Sequence, residues 1–181
     1  MELIEKTLSR RYIFEGRILK LREDTAQLPN DAVVTREVVE HPGGVCVVAL
    51  TAKEELLFVR QFRYPYGKVL AELPAGKRDP GEEPLATGKR ELQEETGFTA
   101  KNYRFLGELY PSPGYFNEII FLYLATDLVA GETHPDADEF LEAERIPLKT
   151  AVEMVMNGEL PDAKTQAAIL KVWYLKQTGK L

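Results

Sequence analysis

The stretch GKRDPGEEPLATGKRELQEETGF, from Gly76 to Phe98, decides the fold and carries a cluster of carboxylates. Glu91, Glu94 and Glu95 stand at i, i+3 and i+4, so a helix places all three on one face within a single turn. We expect that no lysine or arginine nearby in the sequence is sufficient to neutralise this face. The pattern therefore predicts either a cation site or, as the alternative, an acidic helix face that is merely solvated.

The type of cation follows from the available ligands. Hard carboxylate oxygens suit Mg²⁺, Mn²⁺ or Ca²⁺, whereas a soft Zn²⁺ site requires sulfur and imidazole ligands. The whole chain contains one cysteine and two histidines. A hard divalent ion is therefore the expected partner of the three glutamates.

The helix that carries these carboxylates is marked at both ends. Pro84 suits the first turn, where its missing N–H costs nothing, and Glu82 and Glu83 favour the positive end of the helix dipole. Gly97 predicts a left-handed cap, with Phe98 folding back as its apolar contact. Two breaks precede the helix, at Leu73-Pro74-Ala75-Gly76 and at Asp79-Pro80-Gly81.

The spacing of this stretch resembles the Nudix box. It comprises Gly76, five residues, Glu82, seven residues and then Arg90-Glu91-Leu92-Gln93-Glu94-Glu95-Thr96-Gly97-Phe98. Every constrained position is matched, which makes the motif far more specific than a lone glycine-rich loop. The resemblance implies that Mg²⁺ or Mn²⁺ is held by Glu91, Glu95 and the backbone oxygen of Ala75, with Glu94 and Glu72 contributing to the same cluster. It also implies that Arg90 pairs with Glu82 and orients the helix.

Length, composition and charge limit what else the chain does. At 181 residues it is long enough for one well-buried α/β core with a small appendage. A net charge of −6 gives no basic field for nucleic acid or for an anionic membrane, and no apolar run has the length of a transmembrane helix. Cys46 has no second cysteine to pair with, and the charged N-terminus lacks a signal-peptide core. We therefore expect a cytoplasmic location.

The region before the box contains two kinds of strand. From about Leu8 to Val39, apolar and polar residues alternate around a turn at Leu28-Pro29-Asn30-Asp31, which predicts a small antiparallel meander. Because such a meander cannot bury a core alone, we expect it to pack on the main domain or on another subunit. We divide the chain into 1–40 and 41–181. In the second part, Val45–Leu50 is predicted to be a buried strand with Leu56–Gln61 as its hairpin partner.

Cations and aromatic residues alternate just ahead of the box, in Arg60-Gln61-Phe62-Arg63-Tyr64-Pro65-Tyr66. Such a set can hold phosphates and stack a base. The alternative is a loop in which the aromatic rings pack and the arginines are solvated.

The region after the box is predicted to contain strands at Tyr103–Tyr110 and Ile119–Thr126, a short closing strand at Ile146-Pro147-Leu148, and helices at Leu148–Asn157 and Asp162–Gln177. The loop between the first two strands carries prolines and aromatic residues, as a substrate wall would. Residues 131–144 form an acidic loop, for most of which a solvated surface is the expected role.

Segments outside the box resemble one branch of the Nudix superfamily, the ADP-ribose pyrophosphatases. They are Glu40-His41-Pro42-Gly43-Gly44, Arg60-Gln61-Phe62-Arg63, Glu72-Leu73-Pro74-Ala75-Gly76 and Ser112-Pro113-Gly114. The resemblance implies an α/β/α sandwich with a mixed sheet, and a homodimer that exchanges its N-terminal meander. It implies substrate contacts from Arg36, Arg60, Arg63, Glu72, Pro113 and Gly114. Tyr115-Phe116 departs from the small residues that the branch has at this point.

Two histidines leave no legible Ser-His-Asp or Cys-His pairing, so attack by metal-activated water on a pyrophosphate phosphorus is expected. The resemblance implies conversion of ADP-ribose to AMP and ribose 5-phosphate, with Glu139 as general base and Glu94 and Arg90 completing the catalytic set. Asp136, Asp138 and Glu142 remain competitors for the base. Two other functions stay open: hydrolysis of a GDP-sugar or another substrate of the superfamily, and a non-catalytic nucleotide-sugar sensor, for which an eroded box would be expected.

Overall fold

The computed structural model describes residues 3–133 and 140–181. They form two compact units: one comprises the described residues of Met1–Gly43 together with Tyr110–Ile119, and the other comprises Gly44–Leu109 together with the described residues of Ile120–Leu181. None of the helices in the described ranges has the length and apolar character that crossing a bilayer requires.

The first unit is built on an antiparallel sheet of three strands in chain order: β1 (Lys6–Glu15), β2 (Lys20–Gln27) and β3 (Val33–Glu40). The Leu28 N–H donates to the Ala32 carbonyl at 2.8 Å, which closes the turn between β2 and β3. Loop 110–119 runs beside β3, because the Val39 N–H donates to the Tyr115 carbonyl at 2.7 Å. The predicted meander and its turn are confirmed.

The second unit contains two further sheets and three helices. Its strands are β4 (Gly44–Ala49), β5 (Glu55–Arg63), β6 (Lys68–Glu72), β7 (Ala75–Lys77), β8 (Phe98–Leu109), β9 (Ile120–Ala130) and β10 (Leu141–Pro147). Its helices are α1 (Pro84–Thr96), α2 (Leu148–Met156) and α3 (Ala163–Gln177). One sheet is mixed, in the order β7-β4-β9-β8 with β4 and β9 parallel. The other is antiparallel, in the order β10-β5-β6.

Strand β4 lies between two hydrophobic cores, and all six of its residues are buried. Because side chains alternate along a strand, Val45 and Val47 belong to a core that includes Leu92 of α1. Cys46 and Val48 belong to the other core, with Leu148 of α2, Ile169 of α3 and their neighbours. Helices therefore cover both faces of the mixed sheet, which confirms the expected α/β/α sandwich.

Helix α1 begins and ends where the sequence signals predict. Glu83 is its N-cap and Pro84 occupies the first turn. At the other end Gly97 adopts the left-handed conformation, with φ 72°, and its N–H donates to the Gln93 carbonyl at 2.8 Å. A residue with a side chain would be strained there, so glycine suits this cap.

The predicted hairpin between Val45–Leu50 and Leu56–Gln61 is wrong. A bridge at Leu50 and Leu56 and a hydrogen bond from the Thr51 N–H to the Glu55 carbonyl close the turn, but the strands then diverge into different sheets. The physical reason is that a strand buried on both faces is central in its sheet, so β4 pairs with β7 and β9. Strand β5 pairs with β6 and β10 instead.

The end of the predicted acidic loop is also different. Strand β10 starts at Leu141, so Glu142 and Glu144 lie on an antiparallel edge strand opposite Arg60 and Phe58 of β5. An edge strand tolerates charged side chains because one of its sides faces solvent. The acidic composition led to the prediction of a loop where β10 begins, and only the last part of this strand, near Ile146, was predicted.

Candidate active site

Two glutamates of α1 share one arginine. Arg90 Nη1 donates to Glu91 Oε1 and to Glu94 Oε2, both at 2.8 Å. Arg90 is a single positive charge shared by Glu91 and Glu94, so it does not neutralise the whole carboxylate face, as expected. Arg90 precedes Glu94 by four residues, so the helix itself brings its guanidinium to that face.

The same arginine is anchored from its other side by Glu82, which lies just before the helix. Arg90 Nε donates to Glu82 Oε1 at 3.2 Å and Nη2 donates to Oε2 at 3.1 Å, while Thr87 Oγ1 donates to Oε2 at 2.8 Å. The hydrogen bond from Arg90 is the main reason that the pKa of Glu82 falls to about 2. Glu82 and Arg90 thus form a permanent ion pair that fixes the start of α1, as the resemblance implied.

Strand β7 lies directly against the carboxylates. The Ala75 N–H donates to Glu95 Oε2 at 3.0 Å. A Cβ placed on Gly76 would lie 2.0 Å from the carboxyl carbon of Glu91. The glycine therefore leaves the space that the Glu91 carboxylate occupies, and β7 presents its backbone to the same group of acids.

The donor set suits a hard divalent ion. Within residues 3–133 and 140–181, no three or more His, Cys, Asp or Glu side chains stand in a ready-made metal arrangement, and Arg90 supplies the positive charge at Glu91 and Glu94. Glu91 and Glu95 are nonetheless buried carboxylates, 8% and 2% exposed, beside the backbone of Ala75. Buried acidic oxygens of this kind are ligands that Mg²⁺ and Mn²⁺ accept. Glu91, Glu94, Glu95 and the Ala75 carbonyl could therefore hold such an ion.

A second charged group surrounds Glu72, at the end of β6. Arg63 forms a bidentate fork with it, Nε to Oε1 and Nη2 to Oε2, both at 2.7 Å. Lys164 of α3 also donates to Oε2 and lies 3.0 Å from Asp162 Oδ2. Burial alone would raise the pKa of Glu72, but Arg63 and Lys164 outweigh it and lower the pKa to about 2. Glu72 is therefore ionised, with both oxygens engaged by cations.

Sequence reasoning missed Lys164 and its neighbour Thr165, whose Oγ1 accepts a hydrogen bond from the Leu73 N–H at 3.0 Å. One signal was present. Asp162 caps α3 by accepting from the Thr165 N–H at 2.9 Å, so Lys164 falls in the first turn, where the helix dipole disfavours a cation. A lysine in that place indicates a specific acidic partner.

The other expected site residues belong to β3, β5, β10 and the 110–119 loop, or lie outside the described residues. Arg60 contacts Glu144 at 3.4 Å, and Arg36 of β3 forms a bidentate pair with Glu5. Pro113 and Gly114 belong to the loop of the first unit. Three acids proposed for proton transfer, Asp136, Asp138 and Glu139, lie outside the described residues, and Glu142 is exposed on β10.

The aromatic residues of the segment ahead of β6 are exposed rather than packed. Phe62, Tyr64 and Tyr66 are 58%, 87% and 73% exposed, and the two tyrosines form a single turn of 3₁₀ helix. These rings are therefore available to contact a ligand, and the alternative of a packed aromatic loop does not hold.

Comparison with known families supports the motif assignment. The model of the NUDIX domain matches residues 40–169, and the model of the nucleoside diphosphate sugar hydrolase N-terminal domain matches residues 5–39.

Individual relatives cover most of the chain. It is 42% identical to the ADP-ribose pyrophosphatase of Bacillus subtilis (strain 168), over 92% of this chain and 91% of that protein. It is 40% identical to the methanol dehydrogenase activator of Bacillus methanolicus, over 91% and 90%. The crystal structure of an ADP compounds hydrolase superposes with a TM-score of 0.86 over the whole of both chains, at 23% identity, and shows the same fold.

The ion pairs of Glu72 should make the folding stability of the protein depend on pH. We expect Glu72→Gln to lower the melting temperature, because a neutral amide at this position would leave Arg63 without its anion and Lys164 with Asp162 alone. The pKa of Glu72 is about 2 in the folded protein and 4.5 ordinarily. The contribution of its charge to the free energy of unfolding is therefore complete above pH 4.5 and is lost as the pH falls through 2. In thermal melts from pH 7 to pH 2, the difference in melting temperature between wild type and variant should be constant down to pH 4.5 and should shrink below it. Glu153→Gln, at an exposed position on α2, is the control, and a gap that persists unchanged at pH 2 would contradict the assignment.

The contact between Gly76 and Glu91 gives a direct test of the metal ligands. Gly76→Ala should displace the Glu91 carboxylate, which is flexible, and leave the backbone in place. We expect Mn²⁺ affinity to fall about tenfold or more, as electron paramagnetic resonance titration would measure, with an unchanged circular dichroism spectrum. Lys77→Ala, at an exposed position on the same strand, should leave Mn²⁺ affinity unchanged. Equal affinities in all three proteins would show that Glu91 is not a ligand.

Proposed function

The chain belongs to the Nudix family, and from this premise we propose that it hydrolyses the pyrophosphate of a nucleoside diphosphate sugar, with ADP-ribose converted to AMP and ribose 5-phosphate. Two features support the substrate class: the match of residues 5–39 to the N-terminal domain of nucleoside diphosphate sugar hydrolases, and the high identity to an ADP-ribose pyrophosphatase. A GDP-sugar remains the nearest rival substrate.

The observation that carries the proposal is the intact carboxylate group. Glu91 and Glu94 accept hydrogen bonds from the Arg90 guanidinium on α1, and Glu95 accepts one from the Ala75 N–H of β7. An eroded box would be expected of a nucleotide-sugar sensor without catalytic activity, whereas this chain retains all three glutamates in the arrangement just described. The geometry therefore favours an enzyme over a sensor.

Nudix hydrolases use divalent metal ions, and we propose Mg²⁺ or Mn²⁺ at Glu91, Glu94, Glu95 and the Ala75 carbonyl. When bound, the ion would stabilise charge on the phosphate oxygens and ease deprotonation of the attacking water. The protein's own contribution is positional. The pair of Arg90 with Glu82 fixes the first turn of α1, and Glu95 is tied to β7 through the Ala75 N–H.

Arg63 is the proposed phosphate-binding residue of the second unit. The fork with Glu72 uses its Nε and one terminal nitrogen, which leaves Nη1 available, and the side chain is 36% exposed. A planar guanidinium held in this way suits phosphate oxygens. Contacts from Arg36, Arg60, Pro113 and Gly114 remain part of the proposal, and the exposed rings of Tyr64 and Tyr66 are available to stack on a base.

The proposed general base is Glu139, because the acids of α1 would be engaged with the cation and a separate acid is required to accept the proton. Asp136, Asp138 and Glu142 are its competitors. We further propose that the protein works in the cytoplasm, where the buried Cys46 thiol would stay reduced, and that residues 1–40 serve dimerisation while 41–181 carry catalysis.

A second candidate function is suggested by the methanol dehydrogenase activator, which is nearly as similar to this chain as the pyrophosphatase. Stimulation of an alcohol dehydrogenase would be a different role for the same hydrolytic fold. Adding the purified protein to a methanol dehydrogenase assay with NAD, with and without an inactivating Glu95→Gln change, separates stimulation that requires hydrolysis from simple binding.

The primary test is a substrate panel of ADP-ribose, ADP-glucose, GDP-mannose, NADH and diadenosine polyphosphates, with the products identified. We expect ADP-ribose to give the highest kcat/KM in Mg²⁺ or Mn²⁺. Glu95→Gln should remove most activity and retain the fold, because a buried charge is removed from an acidic group. Full activity in excess EDTA would refute the metal mechanism, and a higher kcat/KM for GDP-mannose would refute the proposed substrate.

The base is tested by four single changes, Asp136→Asn, Asp138→Asn, Glu139→Gln and Glu142→Gln. Loss of a general base costs about 10²- to 10⁴-fold in rate, so Glu139→Gln should lower kcat on this scale with little change in KM. Glu132→Gln, at an exposed acid of the same segment, is the control. If kcat collapses in another of the four variants instead, the assignment to Glu139 is wrong. If kcat collapses in none of them, the base lies within the Nudix box.

The homodimer is proposed from the surface of the first unit. All ten residues of β1 are exposed in the single chain. Large exposed apolar side chains among the described residues of this unit are Leu3, Ile4, Leu8, Tyr12, Ile13, Phe14, Ile18, Leu19, Val33, Tyr110 and Tyr115. An apolar surface of this kind marks an interface.

Phe14→Asp should therefore convert a dimer into a monomer in light scattering and lower activity, because a carboxylate cannot be buried against an apolar partner. Met156→Asp, at a residue of the second unit that is 72% exposed, should leave the dimer intact. Deleting Met1–Val39 should abolish substrate binding. A fully active monomer would contradict the proposal.

A further inference from the structure

Lys164 is a nearly buried cation that stands against the dipole of its own helix. Its side chain is 12% exposed, and it lies two residues after the Asp162 cap of α3. The first turn of a helix carries partial positive charge, which disfavours a lysine there. The benefit of this residue must therefore come from outside α3.

Its outside partner is Glu72, which does not need a second cation for neutralisation. Arg63 already provides a full fork to both carboxylate oxygens at 2.7 Å. Burying another charge carries a desolvation penalty, and Asp162, 3.0 Å from the Lys164 ammonium, compensates that charge. Lys164 therefore serves to fix the orientation of the Glu72 carboxylate more than to neutralise its charge.

The first turn of α3 holds the chain at Glu72 by two contacts. Lys164 donates to Glu72 Oε2, and Thr165 Oγ1 accepts from the Leu73 N–H at 3.0 Å. The Glu72 side chain is 2% exposed, whereas that of Arg63 is 36% exposed. Glu72 thus connects an interior lysine to an arginine that reaches the surface.

We propose that Lys164 is a positioning residue for phosphate binding: it fixes the orientation of the Glu72 carboxylate, and this carboxylate fixes the guanidinium of Arg63. Lys164 itself does not touch the substrate. The inference rests on the proposed function and deepens it, because it adds a residue of the C-terminal helix to the phosphate-binding group. It also separates Glu72 from the metal ligands, since cations engage both of its oxygens.

The test is a double-mutant cycle of Lys164→Met and Arg63→Met. Binding of ADP-ribose is measured by calorimetry in EDTA, where no turnover occurs. We expect each single change to weaken binding about tenfold, and the double variant to bind no more weakly than Arg63→Met alone, because both act through one guanidinium. Mn²⁺ affinity should stay within about twofold of wild type, and in Mg²⁺ the loss should appear in KM more than in kcat.

Two further variants guard against a merely structural effect. Lys164→Arg keeps the charge and should restore part of the affinity, while Lys171→Met, at an exposed lysine of the same helix, should bind as wild type does. If Lys164→Met does not fold by circular dichroism, Lys164→Gln replaces it in the cycle. Additive losses in the double variant, or a Mn²⁺ affinity that falls tenfold, would overturn the inference while the wild type remains active. A wild type that hydrolyses none of the panel would overturn the proposed function and this inference together.

Discussion

The rest of the site depends on one short segment, Glu72 to Gly76, being held from two sides. Its acidic end is bound by Arg63 and Lys164, and the Leu73 N–H is bound by Thr165. Its other end meets α1, where the Ala75 N–H reaches Glu95 and Gly76 makes room for Glu91. Each contact alone is worth little, because a hydrogen bond contributes about 1 kcal/mol net. Together they order a stretch of backbone between two helices that the chain places far apart.

The sequence predicted the part of this arrangement that is local. Pro84 and Gly97 mark the ends of α1, and the spacing of Glu91, Glu94 and Glu95 follows from helical geometry alone. The meander of the first unit is also local, since alternation and turn residues specify it. The pairing of β4 with β9 was not predicted, because this parallel pair joins residues 76 positions apart and leaves no trace in nearby residues.

The misses at the site have a related cause. The sequence motif implies that Arg90 pairs with Glu82, but one guanidinium has enough donors for Glu82, Glu91 and Glu94 together. Lys164 lies 92 residues from Glu72, so only its unfavourable place in the first turn of α3 hinted at a role. Contacts between residues so far apart in the sequence are specified by tertiary packing, and helical or strand periodicity does not encode them.

Strand β4 has a consequence for how substitutions combine. Val47 and Val48 are consecutive, yet one packs towards α1 and the other packs in the core that contains α3. Free energies of substitution usually couple between residues in contact and add between residues that share no partners. Adjacent positions on this strand should therefore vary almost independently of each other, while each stays coupled to residues dozens of positions away. Sequence proximity is then a poor guide to which changes compensate one another, and the two faces of a single strand can diverge as if they belonged to separate proteins.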